Sequence, residues 1–180
     1  MNNPLIDTRD IRFVLYEILD VDSLTQYEKY SGFDHETFEA TIDLIENICV
    51  NECYPHFSDA DRRGCSFIPA TGEVELPGSV KKPLKAYYDA AFIGMNEPPE
   101  TGGMGLPMSI GAAGLEFISA AHQPLLMYGA LAHGSMKLIA KFGTEELKKT
   151  FVPRMMSGEW GGTMCLTEPQ AGSDVGRLAA

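Results

Sequence analysis

Met108-Ser-Ile-Gly-Ala-Ala-Gly-Leu-Glu-Phe-Ile-Ser-Ala-Ala121, then, past His122-Gln-Pro124, Leu125-Leu-Met-Tyr-Gly-Ala-Leu-Ala-His-Gly-Ser-Met-Lys-Leu-Ile-Ala-Lys-Phe142, is the stretch on which the fold class turns. Both halves are apolar and crowded with small residues: Gly111, Ala112, Ala113 and Gly114 in the first, Gly129, Ala130, Ala132 and Gly134 in the second. Small side chains let helix axes approach closely, so the pattern predicts two buried central helices of a bundle. Gly143 follows as a helix stop, and Thr144 as the N-cap of a last helix reaching about Met156. Thr144-Glu-Glu-Leu147 is only part of a capping box, because Leu stands where Glu or Gln would close it.

Upstream lies Asn96-Glu-Pro-Pro-Glu-Thr-Gly-Gly-Met-Gly-Leu-Pro107, whose three glycines and three prolines cannot continue a helix. A helix is expected before it, over Lys82 to Phe92, and a long irregular connection from Pro55 to Pro77. Asp34 is placed to cap a helix from His35 to about Cys53, in which Phe38, Ile42, Ile45 and Cys49 recur at steps of four and three along one face. Another helical segment is expected from Asp10 to Leu19. Downstream of Ser157-Gly158 the character changes. Gly162-Thr-Met-Cys-Leu-Thr167 is short, β-leaning and bounded by turn residues, so it reads as one strand, followed by the turn Glu168-Pro-Gln-Ala-Gly-Ser-Asp174. A lone strand cannot satisfy its own backbone, which predicts a β domain to follow.

With 180 residues, 44% hydrophobic and 22% charged, the chain is long enough for a real core and ordinary for a soluble globular protein. Its net charge of -11 repels phosphate backbones and anionic lipid, which argues against a nucleic-acid or membrane-surface binder. No run approaches the roughly 18 apolar residues of a membrane span, and the polar start from Met1 to Asp10 is not a secretory signal. Cys49, Cys53, Cys65 and Cys165 are therefore read as reduced thiols of a cytoplasmic protein.

Some polar constellations have bland readings. Cys49, Cys53, His56 and Cys65 fall at Cys-x3-Cys-x2-His-x8-Cys, which offers four zinc ligands at an atypical spacing. Cys49 also continues an apolar stripe, so core packing is preferred and no metal site is assigned. His133 is read as a satisfied, half-buried histidine, Met155, Met156 and Met164 as packing residues, and Lys81-Lys82-Pro-Leu-Lys85 as a solvated helix start.

Met164-Cys-Leu-Thr-Glu-Pro-Gln-Ala-Gly-Ser-Asp174 carries the functional argument. By itself it offers a strand end, hydroxyls at Thr167 and Ser173 and a flexible Ala171-Gly172, which suit a heterocycle edge or a phosphate oxygen as well as a plain turn. The string resembles the flavin-binding signature of acyl-CoA dehydrogenases. Phe142-Gly-Thr-Glu-Glu-Leu-Lys148 and Phe151-Val-Pro-Arg-Met-Met-Ser-Gly-Glu-Trp160 are similar to the helix and turn that lead into that signature. Phe92 to Pro107 resembles the family's earlier glycine-rich loop, and Arg9 to Glu17 an extra amino-terminal segment of a large bacterial-type branch.

The resemblance implies an all-α helical bundle with one terminal β-strand of an absent β domain. Residues 1–33 would be the amino-terminal extension, 34–160 the helical domain and 161–180 the start of the β domain. It implies α,β-desaturation of acyl-CoA thioesters in fatty-acid β-oxidation, with FAD as cofactor, an electron-accepting flavoprotein as partner and a homo-oligomeric assembly. Met164, Cys165, Leu166, Thr167, Gly172 and Ser173 would line the flavin, Thr167 near its reactive edge and Ser173 near its phosphates while also touching the acyl-CoA. No catalytic residue is assigned. The family's base is a carboxylate of a second bundle that nothing before Ala180 matches, and Glu168 is read as structural. The 180-residue chain is expected to be inactive alone and to self-associate. Two alternatives stay open: a stand-alone helical interaction module, and a zinc-stabilised helical domain.

Overall fold

In the computed structural model, which describes residues 3–179, helix α1 (Thr8–Arg12) is capped by Asp7 and runs into a π-helical turn, Phe13–Ile18. Two 3-10 turns, Val21–Gln26 and Glu28–Tyr30, lead to α2 (His35–Ile48). Asp34 caps α2 as its position predicts, accepting a hydrogen bond from the Thr37 amide at 2.8 Å. The face of Phe38, Ile42 and Ile45 is fully buried, and a second π-helical turn, Cys49–Cys53, carries both cysteines into the same core. Arg12 fastens α1 to α2, its Nε 2.8 Å from Glu39 and its Nη2 2.6 Å from Asp43.

The expectation of an irregular connection over Pro55 to Pro77 is corrected. The chain continues into α3 (Tyr54–Arg63), where Pro55 is tolerated because amides of a first turn lack helical partners anyway. Only Ala60 of α3 is buried, and the helix is strongly polar overall, so it offers few apolar residues to read. Gly64, at φ 61°, ends it. Strands β1 (Ser66–Ile68) and β2 (Glu73–Glu75) then form an antiparallel hairpin with Phe67 opposite Val74, both exposed. Helix α4 (Gly78–Asp89) starts four residues earlier than expected and ends sooner, because Ala91 takes a left-handed conformation.

The two predicted central helices are present as the two halves of α5 (Met108–Phe142), which meet at a kink at His122 (φ -162°, ψ 77°). The break has a stated cause. Pro124 has no amide to donate, and the Leu125 amide turns to the His122 side chain, donating to Nδ1 at 3.3 Å. His122 thus serves as the N-cap of the second half-helix. Small residues do what the pattern implies. A Cβ on Gly129 would stand 2.7 Å from the Tyr87 hydroxyl of α4, and one on Gly114 only 2.9 Å from Met95 and 3.2 Å from Ile45 of α2. Helix α6 (Glu145–Met156), capped by Thr144 through the Leu147 amide, packs back on the end of α5, and Met136, Val152 and Met155 form a second small core.

A second correction concerns the terminal strand. Gly162 to Thr167 forms no ladder; the backbone pairs only at an isolated bridge, Glu168 with Ala171. No described strand lies beside this segment to take its amides and carbonyls, and a strand exists only as half of a pair. The helical class itself stands, with the hairpin as the sole sheet among the described residues.

Candidate functional site

Three pieces of chain meet along the second half of α5. The first is the glycine-rich loop. Its backbone folds on itself through Met104 N to Gly94 O, Gly105 N to Glu97 O and Leu106 N to Met95 O, at 3.0, 2.8 and 3.0 Å. The Asn96 amide group donates to the carbonyls of Leu106 and Pro107, at 3.0 and 2.8 Å, and pins the loop to the start of α5. Gly103 is required by close approach, since a Cβ there would lie 2.1 Å from the Glu97 carbonyl oxygen. The loop turns the Glu97 side chain inward, where His133 Nε2 lies 2.8 Å and Lys137 Nζ 3.0 Å from its Oε1. Burial alone would raise the Glu97 pKa; hydrogen bonds from Lys137 and His133 outweigh it and hold the carboxyl below its ordinary value.

The second piece is the outer face of the half-helix. Met127, Tyr128, Leu138 and Phe142 are exposed there, Phe142 at 72%, with Leu131 and Ser135 half-buried among them. At about 100° per residue these six positions fall within one quadrant or slightly more of the helix, so they make a continuous apolar stripe. Cys65, at the root of the hairpin, interacts with the Tyr128 hydroxyl; burial first, and Cys65 second, push the Tyr128 pKa upward.

The third piece is the segment after Trp160. Gly162 lies against the stripe's edge, where a Cβ would meet Ser135 Oγ at 2.7 Å. Ser135 Oγ is 3.0 Å from the Leu131 carbonyl and 3.2 Å from that of Thr163, so its single proton ties the segment to α5. Beside this anchor is an apolar recess of about 560 Å³, lined by Ser135, Ile139, Phe151, Met155, Trp160 and Thr163. Beyond it, Glu168 and Ala171 exchange hydrogen bonds at 3.0 and 3.1 Å and close a tight turn.

Of the sequence-predicted site residues, Met164, Cys165, Leu166 and Thr167 lie exposed before this turn, and Gly172 and Ser173 exposed after it. The turn brings the two groups together: a Cβ on Gly172 would touch only the Thr167 methyl, at 4.0 Å. Met164 is not a packing residue, being 64% exposed, whereas Met155 is buried and Met156 is packed against the core. His133 is held by Glu97, as a satisfied histidine should be. Cys49 and Cys53 are wholly buried while Cys65 is exposed, so the conceivable zinc ligands do not converge. No group of three potential metal ligands, and no helix long and apolar enough to cross a membrane, occurs among the described residues. Sequence reasoning missed the Glu97 clamp, whose partners lie 36 and 40 residues away.

Residues 35–159 match the family described as "Acyl-CoA dehydrogenase, N-terminal domain". A protein named butyryl-CoA dehydrogenase from Syntrophomonas wolfei is 34% identical over 98% of this chain. A broad-specificity linear acyl-CoA dehydrogenase from Mycobacterium tuberculosis is 35% identical over 98%, and a 3-methylmercaptopropionyl-CoA dehydrogenase from Ruegeria pomeroyi 29% identical over 94%. The chain spans 28–29% of the length of these relatives.

Proposed function

Because this chain belongs to the acyl-CoA dehydrogenase family, we propose that the whole protein desaturates acyl-CoA thioesters between the α and β carbons, with FAD as its cofactor. The observation that carries this reading is the junction at Ser135, where an exposed apolar stripe of α5 adjoins a hydroxyl-bearing segment anchored to it. The stripe is suited to an alkyl chain, because only apolar contacts there remove both surfaces from water. Thr167 and Ser173 supply exposed hydroxyls on either side of one tight turn, and Gly172 leaves its backbone open to close approach. These features fit a flavin: hydroxyls and backbone amides for its polar atoms, with the exposed Met164 and Leu166 for an apolar ring face.

When bound, FAD supplies the acceptor for the hydride leaving the β carbon. The residues of this chain bind and orient. Met127, Leu131 and Leu138 would hold the acyl chain, Thr167 would hydrogen-bond the flavin ring, and Ser173 a flavin phosphate and the acyl-CoA. No base for the α proton is assigned within this chain. On this reading residues 34–160 are the helical domain, 1–33 an amino-terminal extension and 161–180 the lead into a β-structured part of the whole protein. We further place the protein in the cytoplasm as a homo-oligomer that passes electrons to a second flavoprotein, on family membership alone.

The test is made on the whole protein. Purified enzyme should carry a flavin spectrum that bleaches on adding acyl-CoA without oxygen. Thr167→Ala and Ser173→Ala should each lower flavin affinity about tenfold, the loss of one or two hydrogen bonds. A whole protein that binds no flavin and reduces no acceptor with any acyl-CoA refutes the proposal and favours an interaction module.

A further inference from the structure

The second half of α5 is mechanically separate from the first. At His122 the backbone leaves helical geometry, and two residues on, Pro124 breaks the hydrogen-bond ladder. The rotation of the half-helix about its own axis must therefore be set by side contacts rather than by the ladder alone. Among the described residues, the Glu97 clamp ties the half-helix to the glycine-rich loop through a part-buried polar contact. The Glu97 side chain is 7% exposed and engages two residues one turn apart, His133 and Lys137. The carboxylate itself is not free to shift, because its residue's carbonyl accepts from Gly105 and its neighbour Asn96 is bound to Leu106 and Pro107.

Helical geometry relates the clamp to the apolar stripe. Taking His133 as zero and about 100° per residue, Lys137 stands at about 40° while Met127, Leu131, Leu138 and Tyr128 fall between about 120° and 220°. Clamp and stripe are on opposite sides of one helix. A turn of about 20° about the axis would move a side chain roughly 5 Å from that axis by roughly 2 Å. Displacements of that order at a substrate contact are costly to binding and orientation. A buried carboxylate with one cation removed is less well compensated, so the half-helix loses part of what fixes its rotation.

We propose that Glu97, through His133 and Lys137, is a positioning residue that sets the rotation of the half-helix and so aligns the stripe with the acyl chain. It rests on the acyl-CoA reading of the stripe. It does not touch the substrate.

The whole enzyme carrying Glu97→Gln, Lys137→Met, His133→Ala or His133→Gln is assayed with the longest and the shortest acyl-CoA that the wild type turns over. Lys137 is more than half exposed, so its variant is not expected to compromise folding. The first three variants should raise KM about tenfold for the longest substrate and about twofold or less for the shortest, with kcat little changed, because a longer chain engages more of the stripe. His133→Gln, whose amide nitrogen can replace Nε2 as donor to Glu97, should restore near wild-type KM. An equal KM rise at both lengths, an unchanged KM, or His133→Gln as defective as His133→Ala overturns the positioning role while leaving the dehydrogenase reading intact. A wild type that binds no flavin and turns over no acyl-CoA overturns both.

Discussion

His122 offers a sharp test of how the central helix is built. Its imidazole is fully buried, meets the Phe57 ring edge-on at 5.6 Å and accepts from the Leu125 amide through Nδ1 at 3.3 Å. Its Nε2 is buried without a hydrogen-bond partner. Alanine at 122 removes the cap acceptor, at about 1 kcal/mol. It also empties the space of a buried ring, at about 3 kcal/mol by analogy with large-to-small core changes. Loss of the unpartnered Nε2 returns about 1 kcal/mol. The net cost is about 3 kcal/mol, or a Tm lower by roughly 6–12 °C for a chain of this size. Asparagine keeps an acceptor for Leu125 and should cost about half as much.

The same residue predicts a pH dependence. Burial outweighs the opposing influence of the His122 and Ser79 backbones and, with a smaller push from His56, lowers the His122 pKa below its ordinary 6.5. The unfolded chain then takes up a proton at about 6.5 that the folded chain still refuses. The stabilising contribution is complete above that pH and declines as pH falls toward the folded-state pKa, by up to about tenfold in the folding equilibrium per pH unit. Urea unfolding of wild type and His122→Asn, followed by circular dichroism from about pH 7.5 to 5, isolates this contribution, because the other three histidines are present in both. The wild-type advantage should shrink toward acid. Parallel curves would refute the buried neutral histidine, and equal losses for Ala and Asn would refute the cap.

Two further outcomes follow from the packing. Gly111→Ala puts a Cβ 1.8 Å from Asn96 Oδ1, which must swing away and release Leu106 and Pro107; a loss of about 3 kcal/mol is expected, and an unchanged Tm would show that the loop is not held there. The 180-residue chain should self-associate through its exposed stripe, and Leu138→Glu with Phe142→Glu should return it toward monomer in sedimentation; a wild-type monomer at high concentration would count against the stripe as a surface that needs covering.

Local rules account for what could be read from the residues alone. Asp34 and Thr144 cap the helices they precede, because an N-cap needs only a short polar side chain and a following helix. Phe38, Ile42, Ile45 and Cys49 are buried on one face because 3.6-residue periodicity survives into the tertiary structure whenever one face meets a core. The small residues of α5 mark close helix contacts for the same local reason, and the signature segment around Thr167 and Ser173 is legible as a string. Where apolar residues are few the reading fails: α3 is polar overall and buries one residue, so little marks it as a helix. The β-propensity of Gly162 to Thr167 was real but insufficient, since a strand needs a partner and none lies beside it.

What only the tertiary structure decided is long-range. Nothing near Glu97 in the chain announces His133 and Lys137, and nothing near Ser135 announces Thr163. Sequence by itself determined a helical bundle and the string that marks its family, because caps, periodicity and turn residues act over a few positions. The folded chain alone decided that a buried carboxylate holds the second half of α5, and that the apolar stripe adjoins the hydroxyl-bearing segment. Those relations join residues tens of positions apart, and only packing brings such residues into contact.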